Sequence, residues 1–197
     1  MNKLMGMFEL QELNIPSIEW KEFKRSTILD QDKLWTIRTT VLKGDDLNLP
    51  RLIGGTAEEV QNFGNRLLEE FGRNGMIIYY PYFIAEKSGT LEISNERIVI
   101  EAVKEDLWNL VTYSDREETI IIRNKEYIYE GNKLFLSLNE INDVTKYISK
   151  LKQKFRDELV EGKSLLLEWS FAYDSDNDKK KVGDKYLIFY EIRTISS

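Results

Sequence analysis

The fold is decided by residues 161–194, which read EGKSLLLEWSFAYDSDNDKKKVGDKYLIFYEIRT. Ser164–Tyr173 is apolar at nearly every position before Glu168, and Lys185–Thr194 is rich in Tyr, Ile and Phe. Such runs predict two strands, joined by a polar turn, in a sheet that is covered on at least one face. Each strand carries one acid, Glu168 or Glu191, where the pattern predicts an apolar residue.

These two acids are candidate metal ligands. A carboxylate in a buried strand needs a cationic partner, a metal or a proton, because burying a bare charge is costly. On neighbouring strands, Glu168 and Glu191 can share a hard cation such as Mg²⁺. Arg193 follows Glu191 by two residues, so it points to the same face, and two acids with an arginine suit a Mg–phosphate ligand. The alternative is a Glu–Arg ion pair at a strand end. We expect all three side chains within contact range on one concave surface.

Composition narrows the function classes. A length of 197 residues suits one domain, and 42% hydrophobic with 31% charged residues is ordinary for a globular protein. The net charge of -6 argues against nucleic acid as the main partner. The sequence has no Cys and no His, which excludes disulfides, a thiol nucleophile and histidine-based acid–base chemistry. No apolar run reaches membrane-helix length, so we predict a cytoplasmic protein without a membrane partner.

The remaining segments predict an α+β chain with antiparallel hairpins. Capping-box patterns at Thr56–Glu59 and Ser137–Glu140 open two helices, the second over roughly 138–160. Apolar residues recur at helical spacing in both, which indicates packing against a sheet. Further strands are predicted at Leu34–Leu42, Met76–Ala85, Thr90–Ser94, Arg97–Val103, Glu118–Arg123, Tyr127–Glu130 and Lys133–Leu136.

Several segments are predicted to be irregular. Residues 1–34 are interpreted as a lead-in, partly helical, and residues 35–197 as a single compact unit. Turn residues indicate a loop over Lys43–Gly55, a turn at Lys87–Gly89 and an edge or a bulge at Pro81.

Arg38 interrupts an apolar and β-branched strand. One interpretation is an edge-strand arginine that faces water. The other is a ligand-facing arginine that approaches the surface of Glu168 and Glu191 from a different strand. In that case the guanidinium should pair with a carboxylate or an anion, because a partly buried charge needs a partner.

Four segments in order resemble the nucleotide-binding domain of phosphoenolpyruvate synthase and pyruvate phosphate dikinase, an ATP-grasp domain. They span about residues 35–194 and read WTIRTT with DDLNLP, IIYYPYFIAEKSGTL, RIVIEAVKEDLWNLVT, and LLLEWSF with YLIFYEIRT. The resemblance implies an ATP-grasp-like α+β fold, with a mostly antiparallel sheet packed against two main helices. It also implies ATP and Mg²⁺ as cofactors.

The resemblance assigns roles by position. Arg38 matches an arginine that holds the ATP phosphates, and Arg193 matches the closing arginine, so both are candidate catalytic residues. Glu168 matches a glutamate that binds Mg²⁺ and phosphate, and Glu191 stands where the family has glutamine. The implied cofactor-binding residues are Arg38, Thr39, Thr40, Tyr80, Glu168, Glu191 and Arg193, with Glu168 and Glu191 as the metal ligands.

The sequence also departs from that family. No segment matches its lysine lobe, its phosphohistidine domain or its pyruvate-binding barrel, and the phosphate loop can involve either Gly54 or Gly55. The resemblance therefore implies a phosphotransferase-like, kinase-related domain that is incomplete alone. A separate protein that supplies the missing lobes, or a homo-oligomer, would complete it.

The alternative is a catalytically degenerate regulatory or interaction module that keeps the fold. Under this hypothesis Tyr79, Tyr80, Tyr82 and Phe83, next to Trp108, form an exposed apolar patch for a partner. These rings can equally belong to the core.

Overall fold

The computed structural model describes residues 1, 3–41, 49–71, 75–113 and 115–196. Its helices are α1 Lys3–Glu12, α2 Ala57–Phe71, α3 Trp108–Tyr113, α4 Leu138–Thr145, α5 Ile148–Lys154 and α6 Arg156–Val160. Its strands are β1 Lys21–Glu22, β2 Trp35–Val41, β3 Arg51–Gly55, β4 Gly75–Pro81, β5 Phe83–Ile93, β6 Ile98–Lys104, β7 Glu118–Arg123, β8 Glu126–Gly131, β9 Lys163–Ser175 and β10 Lys181–Ser196.

The strands form two antiparallel sheets. The small sheet has the order β1-β4-β2-β3, and the large sheet has the order β10-β9-β5-β6-β7-β8. The predicted α+β class with mostly antiparallel strands is confirmed. The predicted strand pair of residues 161–194 is also confirmed, as β9 and β10 at one edge of the large sheet.

Each sheet is covered on one side by helices. α2 packs on the small sheet through residues such as Val60 and Leu67, which contact Ile37 and Ile77 of the strands. The run α4–α6 covers the large sheet and forms the main core with Trp169. Both predicted capping boxes are present: Glu59 N–H donates to Thr56 Oγ1 over 3.3 Å, and Glu140 N–H donates to Ser137 Oγ over 3.2 Å.

The predicted helix over 138–160 is interrupted. Three shorter helices replace it, with breaks near Lys146–Tyr147 and at Phe155. Thr145 Oγ1 donates to Ile141 O over 2.8 Å, a side-chain bond that competes with the backbone ladder and bends helices. The apolar stripe nevertheless stays buried in the main core from Ile141 to Leu159, so the breaks let the run follow the sheet.

The predicted strand Met76–Ala85 is two strands in different sheets. β4 ends at Pro81 in the small sheet, and β5 begins at Phe83 in the large sheet. The predicted turn at Lys87–Gly89 is wrong, because β5 runs through it without a break. A side chain at Gly89 would collide with the ring of Trp169, so this glycine serves packing rather than a turn.

Some predictions concern segments that are irregular in the structure or lie outside the described residues. The loop predicted over Lys43–Gly55 includes strand β3, and the part at residues 43–48 lies outside the described residues. Lys133–Leu136 forms turns and bends instead of the predicted strand. Most residues of DDLNLP likewise fall outside the described ranges.

Residues 1–34 contribute to both cores. Leu10, Leu13 and Ile15 belong to the main core, and Met7 belongs to an apolar cluster with Ile78 of the small sheet. Helix α1 therefore lies where the two sheets meet. Within the described residues, no helix combines the length and the apolar character that crossing a membrane requires.

Candidate functional site

Glu168 and Glu191 lie opposite each other on β9 and β10. The register of the two strands shifts at Tyr190, an extra residue between Phe189 and Glu191. Such a one-residue insertion is a β-bulge, which re-aims the side chains that follow it. Phe189 and Ile192 therefore both face the main core although they are three residues apart, and Glu191 faces the other side.

Arg193 joins the two acids. Its Nη2 lies 3.9 Å from Glu168 Oε1, and its Nε lies 3.8 Å from Glu191 Oε1. The expected contact among these three side chains is present, and Glu191 and Arg193 share a face as their spacing predicts. At these distances the contacts are ion pairs and not hydrogen bonds.

Arg38 reaches the same carboxylates from the small sheet. Its Nη2 lies 3.9 Å from Glu191 Oε2, and its side chain is 18% exposed. Strand β2 is an inner strand between β4 and β3, so the interpretation as a water-facing edge arginine is wrong. Glu168, Glu191, Arg193 and Arg38 thus form a charged cluster at the junction of the two sheets.

A third cation comes from α1 and was missed by the sequence reasoning. Lys3 Nζ lies 3.5 Å from Glu191 Oε2, and the Lys3 side chain is 20% exposed. The buried residues Leu4, Met7 and Leu10 give α1 an apolar face, but no sequence pattern says which charged group that face presents. Only the docking of the helix identifies Lys3 as a member of the cluster.

The cluster carries one positive charge in excess when both acids are ionised, since Lys3, Arg38 and Arg193 surround two carboxylates. Burial raises the pKa of Glu168 above its ordinary value, and the charge of Glu191 acts in the same direction. Burial opposes the charge of Arg38, but Tyr80 and the two carboxylates outweigh it and raise the pKa of this guanidinium. The arginine therefore stays cationic.

Two buried polar atoms of the cluster have no hydrogen-bond partner, namely Glu191 Oε1 and Arg193 Nε. Buried polar atoms in folded proteins normally have one. Protein-bound Mg²⁺ often uses one or two carboxylates and completes its shell with phosphate oxygens and water. Two facing carboxylates with one unused oxygen fit that donor set. The described residues contain no group of three or more acidic, His or Cys ligands, so such a metal would need the phosphates of its ligand.

Thr39 and Thr40 are engaged inside the small sheet. Thr39 Oγ1 donates to Pro50 O over 3.1 Å, and Thr40 Oγ1 donates to Met76 O over 3.0 Å. Strand alternation turns Thr39 to the face opposite Arg38. The structure therefore does not bring Thr39 to the cluster, and the hydroxyl of Thr40 is already used.

Aromatic side chains occupy the region between the sheets next to the cluster. Tyr80 is buried beside Arg38, and Tyr190 and Phe83 pack against the same apolar cluster. Tyr79 packs edge-on against Trp35 on the other face of the small sheet.

The exposed aromatic patch predicted for a partner is therefore wrong for Tyr79 and Tyr80, which belong to the cores. Tyr82 and Phe83 are half-buried. Trp108 is 46% exposed, and the guanidinium of Arg51 lies 5.0 Å from its ring centroid.

Of the two candidate phosphate-loop glycines, Gly54 has the special conformation. Its φ of 63° lies in the left-handed region, and a Cβ there would come within 3.3 Å of the Tyr82 ring. Gly55 ends β3 with ordinary backbone angles. The left-handed φ favours glycine at Gly54, and the Tyr82 ring leaves little room for a side chain.

Comparisons with known proteins give information at the level of structure. No protein-family model matches the sequence, and no curated protein matches it significantly. One similar solved structure is N5-carboxyaminoimidazole synthetase from Staphylococcus aureus complexed with ADP, with a TM-score of 0.52 and 13% identity over 97% of this chain and 43% of that chain.

Two other structures have a similar likeness. An ADP complex of N5-carboxyaminoimidazole ribonucleotide synthetase has a TM-score of 0.55 and 10% identity, over 98% of this chain and 44% of that chain. D-alanyl-alanine synthetase A from Vibrio cholerae O1 biovar eltor has a TM-score of 0.52 and 8% identity, over 97% of this chain and 54% of that chain.

These neighbours are ATP-grasp enzymes, and the likeness over nearly all of this chain shows an ATP-grasp-like fold. The chain spans about half the length of the structures it matches. At this level of identity the comparison establishes the fold alone, and the closer resemblance to phosphoenolpyruvate synthase stays a prediction.

Proposed function

We propose that this chain binds a magnesium nucleotide, ATP in the first place, at the junction of its two sheets. The observation that carries the proposal is the facing pair Glu168 and Glu191, which three cations surround and in which one buried carboxylate oxygen has no hydrogen-bond partner. The ADP held by two of the structural neighbours supports a nucleotide at such a fold.

Different residues would bind different parts of the magnesium nucleotide. Glu168 and Glu191 would hold Mg²⁺, which neutralises phosphate charge when bound. Arg38 and Arg193 would contact the phosphate oxygens, for which a planar guanidinium is well suited. Tyr80, buried beside Arg38, would border the ligand on the small-sheet side.

For the reaction, we propose an incomplete phosphotransferase of the phosphoenolpyruvate synthase type, located in the cytoplasm. Phosphoryl transfer needs charge stabilisation and positioning from several sides at once. Residues 35–197, with α1 packed against them, would form the nucleotide-binding unit, and a separate protein or a second copy would supply the acceptor side. Alone, the chain should not convert ATP and pyruvate to phosphoenolpyruvate.

A second candidate is a module that keeps the fold without a nucleotide. Tyr190, Tyr80 and Phe83 favour it, because their rings take up room between the sheets beside the cluster. Under this hypothesis the ion pairs of Glu191 only hold the two sheets together.

Calorimetry separates the two candidates. Titration of Mg–ATP into the intact chain should give saturable binding that depends on Mg²⁺. Glu168→Gln and Arg38→Ala should each weaken the binding at least tenfold, since a charge-assisted contact contributes about 1.5–3 kcal/mol. The exposed Arg156→Ala is the control and should bind as the unmodified chain does. Binding that neither site variant changes would remove the site assignment, and absence of binding would favour the second candidate.

A further inference from the structure

Lys3 contacts a carboxylate of the charged cluster that already has other cationic neighbours. Glu191 Oε2 already has Arg38 at 3.9 Å, and Lys3 approaches the same oxygen at 3.5 Å. Arg193 lies at the other oxygen of Glu191 and also at Glu168. Three cations thus serve two acids. The cluster therefore has more positive charge than is required to neutralise its two carboxylates.

The position of Lys3 is determined by the close packing of its helix, α1, against β10. Helix α1 lies against β10 so closely that a Cβ on Gly6 would collide with the carbonyl oxygen of Ile192. Leu4, Met7 and Leu10 are buried beneath the helix. The first turn of α1 therefore packs against the strand that carries Glu191 and Arg193. This packing positions Lys3 at the cluster.

An excess of cations beside unsatisfied buried atoms fits an anion. Glu191 Oε1 is buried in a side chain that is only 2% exposed, and neither it nor the buried Arg193 Nε makes a hydrogen bond. A phosphate oxygen can accept from Arg193, while Mg²⁺ can use the free oxygen of Glu191. Lys3 then loses part of its carboxylate partner and becomes available to the phosphate.

We propose that Lys3 is a phosphate-binding residue, which acts with Arg38 and Arg193 on a polyphosphate whose magnesium ion lies on Glu168 and Glu191. In the free protein Lys3 is held on Glu191 Oε2, and on binding it moves to a phosphate oxygen. The proposal deepens the proposed function by assigning one more ligand contact. It concerns the polyphosphate group, so it can be tested with and without a nucleoside.

The test is calorimetric titration of the full chain with Mg–tripolyphosphate and, separately, with Mg–ATP. Lys3→Met keeps the length of the side chain and removes its charge, and Lys3→Arg keeps the charge. Lys150→Met, at an exposed position of α5, is the matched control. Thermal unfolding of each variant verifies that it is folded at the titration temperature.

Lys3→Met should weaken Mg–tripolyphosphate and Mg–ATP by about tenfold or more, as the loss of a charge-assisted contact does. Lys3→Arg should restore most of the affinity, and Lys150→Met should leave it unchanged. Tripolyphosphate binding that depends on Lys3, without ATP binding, would support the role of Lys3 and refute the nucleotide proposal. ATP binding with unchanged or higher affinity in Lys3→Met would overturn the role of Lys3 and leave the nucleotide proposal intact. Absence of binding to both ligands would overturn both proposals.

Discussion

Glu191 faces Glu168 across the last two strands because Tyr190 is an extra residue in β10. If Tyr190 took a regular place in the pairing, Glu191 would have the parity of Phe189 and would point into the main core. The bulge thus keeps a carboxylate out of an apolar core and places it between the sheets. The bulge is a precondition of the charged cluster.

Deletion of Tyr190 should remove the bulge without changing the face of any later residue, because Glu191 then follows Phe189 directly and still pairs with Glu168. The expected loss is therefore that of the Tyr190 ring, which packs against the apolar cluster between the sheets. We expect the free energy of unfolding, measured by urea titration, to fall by about as much as in Tyr190→Ala, which removes the ring and keeps the extra residue. Deletion of Asn177 in the exposed turn between β9 and β10 should cost much less. A loss far above that of Tyr190→Ala would show that the residues after the deletion change face.

The two facing acids should respond differently to neutralisation. Glu191 is 2% exposed and has three cationic neighbours, so Glu191→Gln leaves those cations without their shared partner. We expect it to lower the free energy of unfolding at pH 7 by about 3 kcal/mol.

Glu168→Gln should have a smaller effect at the same pH, because burial already favours the neutral form of this acid. A change within about 1 kcal/mol is expected. Urea unfolding of both variants in one buffer makes the comparison, and a larger loss in Glu168→Gln would contradict the assignment.

Gly6→Ala tests how closely α1 packs against β10. In a solvent-exposed helix this change would stabilise by about 1 kcal/mol. Here the added Cβ would collide with Ile192 O, so we expect a loss of about 2 kcal/mol in thermal or urea unfolding, as for other overpacked sites. Glu12→Ala, at the exposed end of the same helix, is the control and should stay within about 0.5 kcal/mol. A stabilised Gly6→Ala protein would show that α1 does not dock this closely.

The stability of the fold should depend on pH through Glu140, on the helix-covered side of the large sheet. Burial opposes its ionisation, but hydrogen bonds from Lys87 at 2.8 Å, the Ser137 N–H at 2.8 Å and Lys185 at 3.0 Å outweigh it. They lower the pKa of Glu140 to about 2. A lowered pKa stabilises the fold above the pKa of the unfolded chain, and this contribution is lost as the pH falls towards 2.

Glu140→Gln should thus be less stable than the unmodified chain at pH 7, by about 3 kcal/mol. The difference should shrink as the pH falls from about 4.5 to 2, which urea unfolding across that range measures. The exposed Glu96→Gln should show no comparable trend. A difference that stays constant with pH would contradict the proposed ion pairing.

Local signals in the sequence predict the starts of α2 and α4 and some of the hairpins. Ser137 and Glu140 form the capping box that their spacing predicts, and β7 and β8 pair as the predicted neighbouring strands Glu118–Arg123 and Tyr127–Glu130. These features depend on residues that are close in the chain. The division of Met76–Ala85 between two sheets was not predictable in the same way, because no local pattern at Tyr82 says that the chain passes from one sheet to the other.

The charged cluster was predictable only in part, for a similar reason. Glu168, Glu191 and Arg38 are visible because each interrupts an apolar run. Lys3 lies in a helix whose exposed positions include the apolar Met5 and Phe8, and nothing in its surroundings in sequence links it to a strand almost the whole chain away. Thr39 has a suitable hydroxyl, but it follows Arg38 directly in β2 and therefore faces the other side of the sheet.

Helix α1 touches both halves of the molecule with neighbouring turns: Leu10 lies in the core of the large sheet, and Met7 lies with Ile78 of the small sheet. A hinge motion that separates the sheets must therefore peel α1 from one of them. The same motion would draw Arg38 away from Glu191, because Arg38 lies in the small sheet and Glu191 in the large one, and Lys3 would follow if α1 stayed with the small sheet. Separation of the sheets, exposure of apolar surface on α1 and loss of the Arg38–Glu191 ion pair are in consequence coupled.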